Sequence, residues 1–137
     1  MKITLKKNLF NEIYLPHLTD YSHRYEIYYG GAGSGKSKFI SQKLVLRAFN
    51  ERRKILVLRK VNSTTKNSTF QLLLDTLADW RLLDKCKVNK TNFQIELPNK
   101  SMFICMGLDD PEKLKSIAGI TDAWMEEATE FTLNDFN

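Results

Sequence analysis

The stretch GGAGSGKS, Gly30–Ser37, decides how this chain is expected to fold, and it follows directly on the apolar run Ile27–Tyr29. It matches the Walker A pattern, a glycine-rich loop between a strand and a helix. Successive backbone N–H groups of such a loop wrap a polyphosphate, which side chains bulkier than glycine would hold away. Lys36 is expected to reach the β- and γ-phosphates, and the Ser37 hydroxyl to bind Mg²⁺. The loop residues expected to line the phosphates are Gly30, Gly31, Ala32, Gly33, Ser34 and Gly35.

Length and composition limit the remaining possibilities. The 137 residues suffice for one domain with its own core, and 42% hydrophobic with 27% charged residues is typical of a soluble globular protein. The net charge of +5 fits an anionic partner such as nucleic acid, and equally an ordinary lysine-rich surface. Cys86 and Cys105 have no CxxC spacing, so free thiols are expected rather than a disulfide framework or a zinc site. Residues 1–10 lack a long apolar stretch, so we expect a soluble intracellular protein without signal peptide or membrane span.

Strand-like and helix-like segments alternate along the chain, which indicates an α/β domain with a mostly parallel sheet. The continuous apolar run Ile55–Leu58 is typical of a strand buried on both faces. The predicted strands are Tyr25–Tyr29, Ile55–Leu58, Cys86–Val88, Phe93–Leu97, Ser101–Met106 and Ala123–Met125. The predicted helices run from Lys36 to Phe49, from Phe70 to Leu83 and from Asp109 to Lys115, after a short helical face at Asn8–Leu15 that Pro16 would end.

Two consecutive carboxylates, Glu126 and Glu127, follow the last predicted strand. Ligand sites of parallel sheets lie at the carboxyl ends of the strands, so Asp122, at the other end of this strand, is the poorer candidate for a metal ligand. Glu126 is expected to hold Mg²⁺ or a metal-bound water, and Glu127 to orient and deprotonate the attacking water. A dedicated water-activating acid favours hydrolysis over phosphate transfer to a small acceptor, and hence an ATPase that converts hydrolysis to movement.

Other charged and aromatic residues allow two interpretations each. Arg59 and Lys60 follow the second predicted strand at the same edge of the sheet. Either one of them approaches the triphosphate or DNA, or they are ordinary surface charges. The basic run Arg52–Lys54 at a helix end is expected to be solvated, with DNA contact as the alternative. Trp80 and Trp124 are expected in the core rather than on a stacking surface.

Three segments together resemble the large terminase subunit of tailed bacteriophages, and more narrowly the PBSX-type branch of defective Bacillus prophages. They are YYGGAGSGKS at 28–37, LVLRKVNSTTKNSTF at 56–70 and KLKSIAGITDAWMEEATEF at 113–131. The phosphate loop alone would indicate only a superfamily, whereas the stretch around the two glutamates is more specific.

The resemblance implies a motor that uses ATP and Mg²⁺ to pack double-stranded DNA into an empty capsid. It implies a RecA-like ATPase domain of the additional-strand (ASCE) type, with a mostly parallel sheet flanked by helices, followed by an RNase H-like nuclease. On this pattern Lys36 and Ser37 match the phosphate- and Mg²⁺-binding positions, and Glu126 and Glu127 match the acidic pair, with Glu127 as base. The implied partners are DNA, a portal protein, a small terminase subunit and further copies of the chain, in the bacterial cytoplasm at the procapsid.

The chain departs from that family in three places. Many relatives have Arg at the position of Ala32, so any role of that arginine would move elsewhere or to a neighbouring subunit. Many phosphate-loop ATPases have Asp at the position of Glu126. The chain stops ten residues after Glu127, before the expected coupling motif and nuclease. Residues 1–137 are therefore expected to be the N-terminal ATPase part of a longer protein, one that binds nucleotide but turns it over poorly by itself.

Three alternatives stay open at this stage. Another DNA-dependent motor, of the helicase or recombinase type, would differ by helicase motifs in a longer sequence. A small nucleotide kinase would need an arginine-rich lid, and no such segment follows the phosphate loop. A non-catalytic remnant that binds DNA or the portal would keep that binding when Lys36 is replaced by Ala.

Overall fold

A mixed α/β fold is seen in the computed structural model, which describes residues 4–5, 10–28, 35–59, 66–107 and 111–126. Within these ranges the strands are β1 (Lys54–Arg59), β2 (Lys87–Asn89), β3 (Gln94–Glu96), β4 (Met102–Gly107) and β5 (Asp122–Met125). The α-helices are α1 (Lys36–Asn50), α2 (Lys66–Asp79) and α3 (Pro111–Lys115), and Glu12–His17 and Leu83–Lys85 form short 3₁₀ helices. No helix of the described residues combines the length and the apolar character needed to cross a membrane.

The strands form one sheet in the order β2-β3-β4-β1-β5. β1 lies between β4 and β5 and runs parallel to both, with Ile55 opposite Phe103 on one side and Asp122 on the other. β2 and β3 form a short antiparallel hairpin that adds to the far side of β4. The expected mostly parallel sheet with flanking helices is confirmed, with an antiparallel extension at one edge.

Both faces of β1 are buried, as its continuous apolar sequence predicts. Because side chains alternate along a strand, Ile55 and Val57 belong to the main core beneath α1 and α2, while Leu56 and Leu58 point to the opposite face. The main core also contains the following buried side chains: Phe39, Val45, Leu73, Leu77, Trp80, Phe103 and Trp124. The opposite face is covered by Leu114 and Ile117, at and just after α3. The prediction that both tryptophans are core residues is confirmed.

Two helix predictions need correction. The second helix begins at Lys66 and ends at Asp79 rather than spanning Phe70–Leu83, because the chain turns at Arg81, which has φ of 58°. Near the N-terminus, Pro16 lies inside the 3₁₀ helix Glu12–His17 and does not end it. The turns there are closed by the N–H groups of Tyr14 and Leu18, so the N–H that proline lacks is not needed.

The predicted first strand, Tyr25–Tyr29, is wrong for its described part. Residues 25–28 are not in a strand, and Tyr25 and Ile27 are 80% and 83% exposed; Tyr29 lies outside the described residues. The side chains of Glu26 and Tyr28 meet a helix and not a neighbouring strand. Lys43 of α1 contacts Glu26 at 2.5 Å and the Tyr28 hydroxyl at 3.3 Å.

Lys43 is the centre of a polar cluster that attaches residues 20–28 to α1. Its side chain is only 5% exposed, and its ammonium also donates to the carbonyl oxygen of Asp20 at 2.7 Å. The Tyr21 hydroxyl donates to the backbone carbonyl of Lys43 at 2.9 Å, and the Tyr21 ring lies 5.2 Å from the ammonium. A buried ammonium is tolerated only when it is paired and hydrogen-bonded, and these contacts meet that condition.

Cys86 and Cys105 are both thiols outside any disulfide, as expected. Cys105 is buried in β4, and Cys86 is half-buried with its thiol donating to the Leu82 carbonyl oxygen at 3.4 Å. Burial raises the pKa of Cys86 to about 11. Because the thiolate is the reactive form, Cys86 is a poor nucleophile at neutral pH.

A buried serine joins three elements at the amino edge of the sheet. The Ser101 hydroxyl, just before β4, donates to the Ala48 carbonyl oxygen of α1 at 2.7 Å. It also accepts from the Arg53 N–H, just before β1, at 2.9 Å. This single hydroxyl therefore links the end of α1 to the starts of two neighbouring parallel strands.

We expect Ser101→Ala to lower the free energy of unfolding by about 1–3 kcal/mol, because the Arg53 N–H would lose its acceptor in a buried place. The Ala48 carbonyl would keep the Asn99 amide as donor. Urea unfolding measures the change. The control is Ser116→Ala, which removes an exposed hydroxyl and is expected to change stability by less than about 0.5 kcal/mol. Equal losses in the two variants would contradict the structural role of Ser101.

Tyr21 should make the fold sensitive to alkaline pH. Burial raises the pKa of Tyr21 from 10.0 to about 12. The folded chain then keeps a proton that the unfolded chain loses, so this stabilisation is complete below pH 10 and is lost as the pH rises towards 12. Urea unfolding at about pH 9 and about pH 11 should show a smaller loss of stability for Tyr21→Phe than for the unchanged chain. The Tyr25→Phe variant, which is changed at an exposed tyrosine, should lose as much stability between the two pH values as the unchanged chain. An equal loss in Tyr21→Phe would show that Tyr21 does not cause the alkaline sensitivity.

Candidate active site

The candidate site begins where the glycine loop enters α1. Gly35 precedes the first helical residue with φ of +80°, a left-handed conformation that favours glycine. Its carbonyl oxygen accepts the Phe39 N–H at 3.0 Å, which starts the helix. A Cβ atom at Gly35 would also lie 3.4 Å from the Asn11 side chain and 3.9 Å from the Tyr14 ring. These distances leave room for a Cβ atom, so it is the backbone conformation that favours glycine here.

The central contact of the site joins two residues that are 89 positions apart. The Ser37 hydroxyl, in the first turn of α1, donates to the Oε1 atom of Glu126 at 2.6 Å. Glu126 directly follows β5 and is only 8% exposed. Its N–H donates to the Leu58 carbonyl oxygen at 3.0 Å, which extends the β1–β5 ladder by one step. The strand pairing thus holds Glu126 beside the start of α1.

The other described candidates lie around the same edge of the sheet. Lys36 is the first residue of α1 and Arg59 is the last residue of β1. Since Leu58 pairs with Met125, the backbone of Arg59 continues alongside Glu126. The structure therefore brings Ser37 and Glu126 into direct contact and places the backbones of Lys36 and Arg59 next to them. The remaining predicted site residues lie outside the described part of the chain: Gly30, Gly31, Ala32, Gly33, Ser34, Lys60 and Glu127.

The Ser37–Glu126 pair is suited to hold Mg²⁺. A hydroxyl and a carboxylate are hard oxygen donors, and they lie within hydrogen-bond distance of each other. The described residues contain no group of three or more His, Cys, Asp and Glu side chains that could hold a metal. Mg²⁺ commonly binds through one or two protein oxygens together with substrate phosphates and water. The donor set therefore fits a metal that arrives with a polyphosphate, and the positive end of the α1 dipole favours the same anion.

Asp122 lies at the opposite end of β5 from Glu126, as its place in the sequence indicates. Its Oδ2 atom is 3.3 Å from Arg47 Nη1 of α1, and its Oδ1 atom is 3.0 Å from Arg53 Nε. The contact between Arg53 and Asp122 is an ion pair, and the Nε–H group of Arg53 is not aligned to make a hydrogen bond. Asp122 is therefore occupied by two arginines at the amino edge of the sheet, away from the candidate site.

The basic run 52–54 has a structural use that the sequence did not indicate. Arg53 pairs with Asp122, and Lys54 donates to the Ala118 carbonyl oxygen at 2.7 Å. Only Arg52 of the three is fully exposed, as a solvated helix end predicts. The proximity of Asn11 and Tyr14 to the glycine loop was also not foreseen. It depends on how the N-terminal segment folds back, and no local pattern in the sequence carries that information.

Comparison with known proteins identifies relatives of this chain. A family model described as phage terminase large subunit matches residues 22–137. The chain is 34% identical over 125 residues to the PBSX phage terminase large subunit of Bacillus subtilis (strain 168), covering 88% of this chain and 29% of that protein. It is 28% identical over 139 residues to the large terminase subunit of Bacillus phage SPP1, covering 93% of this chain and 33% of that protein.

The chain thus spans about a third of the length of these curated relatives. The family model covers most of the chain, including all the candidate site residues from Gly30 to Glu127. The resemblance seen in the sequence is confirmed, and the chain belongs to the phage terminase large subunit family.

Proposed function

We propose that this chain is the ATP-hydrolysing part of a viral DNA-packaging motor, with a RecA-like phosphate-loop fold and Mg²⁺ as its metal. The observation that carries the proposal is the 2.6 Å contact between the Ser37 hydroxyl and the Glu126 carboxylate. It joins the end of a glycine-rich loop to the acid after a parallel strand, which is the arrangement that binding of a metal–triphosphate requires. Membership of the terminase family supports packaging as the task for which the energy is used.

The residues divide the work of phosphoryl transfer between them. Lys36 would bind the β- and γ-phosphates through its ammonium, and the backbone N–H groups of the loop Gly30–Gly35 would bind the remaining oxygens. Ser37 and Glu126 would hold Mg²⁺, which when bound supplies positive charge to the phosphates. Arg59 would add a further positive charge at the same edge of the sheet. Phosphoryl transfer depends mostly on positioning and charge stabilisation. Its main requirement is therefore that the ends of α1, β1 and β5 keep their positions relative to one another.

Glu127 would accept a proton from the attacking water. It directly follows Glu126 in the sequence, so the chain supplies two neighbouring carboxylates. One acid can therefore serve the metal while the other serves the water. A base dedicated to water is the property of a hydrolase, so the residues support ATP hydrolysis rather than phosphate transfer to a second substrate.

The proposed partners follow from the packaging role. They are double-stranded DNA, a portal protein, a small terminase subunit and further copies of the chain, in the bacterial cytoplasm at the procapsid. The net charge of +5 is favourable for contact with DNA. The family match supports this motor over the helicase-type and small-kinase alternatives. The remaining alternative is a non-catalytic remnant that binds DNA or the portal. A measurement of Mg·ATP binding separates it from the motor.

Binding of Mg·ATP tests the proposal directly. We expect Lys36→Ala to weaken binding by about 100-fold, because a charge-assisted contact to the phosphates is lost. The matched control is Lys38→Ala, which removes an exposed lysine of the same helix, two positions further on, and should leave the Kd unchanged. Calorimetric titration of the 137-residue chain gives both values. Unchanged affinity in Lys36→Ala, or no binding by the unchanged chain, would refute the proposal.

Replacement of the proposed base separates binding from chemistry. We expect Glu127→Gln to keep Mg·ATP affinity within about 3-fold, while the single-turnover rate of hydrolysis falls by about 100-fold or more, since general-base catalysis contributes about 10²–10⁴-fold. Glu126→Gln should instead raise the Mg²⁺ concentration needed for binding. A Glu127→Gln variant that hydrolyses ATP at the unchanged rate would remove Glu127 from the mechanism.

A further inference from the structure

We infer that Asp122 is a positioning residue, which through its ion pairs with Arg47 and Arg53 keeps Ser37 and Glu126 aligned to hold a metal. The inference rests on the proposed function for its metal. It concerns a cluster of charges at the opposite edge of the sheet from the candidate site. We name the three side chains Asp122, Arg47 and Arg53 the distal clamp.

The argument begins with the directions of α1 and β5. α1 runs from Ser37 at the carboxyl edge of the sheet towards Arg47 at the amino edge, and β5 runs back from Asp122 to Met125, one residue before Glu126. The helix and the strand are therefore antiparallel neighbours that contact each other twice. Ser37 meets Glu126 at one end, and Arg47 meets Asp122 at the other.

The lengths of the two elements match. Arg47 lies ten positions after Ser37, about 15 Å along a helix at 1.5 Å per residue. Glu126 lies four positions after Asp122, about 13 Å along an extended chain at 3.3 Å per residue. Both contacts can therefore be made at once with α1 lying along β5. A shift of α1 along β5 by even one helical residue would strain both contacts together.

The distal clamp is well placed to resist such a shift. The side chains are only partly accessible, with Asp122 11%, Arg47 21% and Arg53 19% exposed. At that depth, water screens the charges less than at the open surface. The backbone of Arg53 is itself held, because its amide N–H donates to the buried Ser101 hydroxyl. The clamp thus connects α1 to β5 and to Arg53, the residue just before β1, whose backbone is in turn bonded to Ser101.

Glu51 provides a matched comparison. Its Oε1 atom lies 3.7 Å from both Arg47 Nε and Arg53 Nη1, so it pairs with the same two arginines. It follows α1 and does not belong to β5, and its side chain is 59% exposed. Removal of the Glu51 charge therefore changes the electrostatics of the arginines without releasing the strand. If Asp122 only stabilised the fold locally, the Asp122 and Glu51 variants would differ in their free energy of unfolding and not in their Mg²⁺ requirement.

The test is the Mg²⁺ dependence of ADP binding by the 137-residue chain, measured with MgCl₂ at fixed ADP. Groups that orient metal ligands through direct contact typically change metal affinity by about 10–100-fold. Since the distal clamp acts over a longer distance, Asp122→Asn should raise the half-saturating Mg²⁺ concentration by about 3- to 10-fold. Glu51→Gln should change it by less than about 2-fold, and Asp122→Glu, which keeps the charge, should restore most of the affinity.

A double variant shows whether the clamp acts through Ser37. With Ser37→Ala already present, Asp122→Asn should add less than its effect in the unchanged chain, because coupled residues are not additive. Equal effects of Asp122→Asn and Glu51→Gln on the Mg²⁺ requirement, or full additivity with Ser37→Ala, would overturn the inference. If Asp122→Asn does not fold, Arg47→Gln takes its place, since it removes the positive charge that pairs with Asp122; an unchanged Mg²⁺ requirement there also overturns the inference.

The inference and the proposed function can fail separately. If the unchanged chain binds no ADP at any Mg²⁺ concentration, the proposed function fails, and thermal unfolding then tests the clamp. In that case the Tm losses of Asp122→Asn and Ser37→Ala should still be less than additive, since the two contacts hold the same pair of elements. Additive losses would show that the two ends of α1 are independent.

Discussion

The parallel pairing of β1 with β4 and β5 is the constraint on which the rest of the structure depends. Because both neighbours run parallel to β1, their carboxyl ends meet at one edge of the sheet, where ligands of such sheets bind. The pairing also requires both faces of β1 to be covered, which α1 and α2 do on one side and Leu114 and Ile117 do on the other. The backbone hydrogen bond from Glu126 to Leu58 extends this ladder beyond β5. Formation of the sheet therefore brings Glu126 to this edge.

The start of α1 completes the candidate site at this edge of the sheet. Its first turn carries Ser37 to within 2.6 Å of the Glu126 carboxylate, and its far end is attached to the start of β5 by the ion pair between Arg47 and Asp122. Midway between them, Lys43 attaches the helix to residues 20–28. α1 therefore combines the proposed binding of phosphate and metal with contacts to three other parts of the chain. In the proposed motor, a change at the nucleotide would act through this helix on β5 and on the N-terminal segment.

Much of the fold could be predicted from local pattern. The continuous apolar runs at Ile55–Leu58 and Ser101–Met106 identified two central strands, and the spacing after Lys36 identified α1. The errors share a cause. Tyr25–Tyr28 has the aromatic and apolar composition of a strand, yet in the described structure Glu26 and Tyr28 pair with a buried lysine of α1. The end of α2 and the place of Pro16 depend on turns closed by particular backbone groups, which residue type alone does not reveal.

The sequence by itself determined the chemical types of the candidate site, because a glycine-rich loop with Lys and Ser and a strand followed by two acids are local patterns with few uses. It also determined the family, through the order of three distinctive segments. Only the tertiary structure decided that Ser37 touches Glu126, that Asp122 is held by Arg47 and Arg53, and that Lys43 is buried. Each of these contacts joins residues far apart in the chain. Their partners are chosen by strand order and helix packing, which depend on the free energy of the whole core and not on any local stretch.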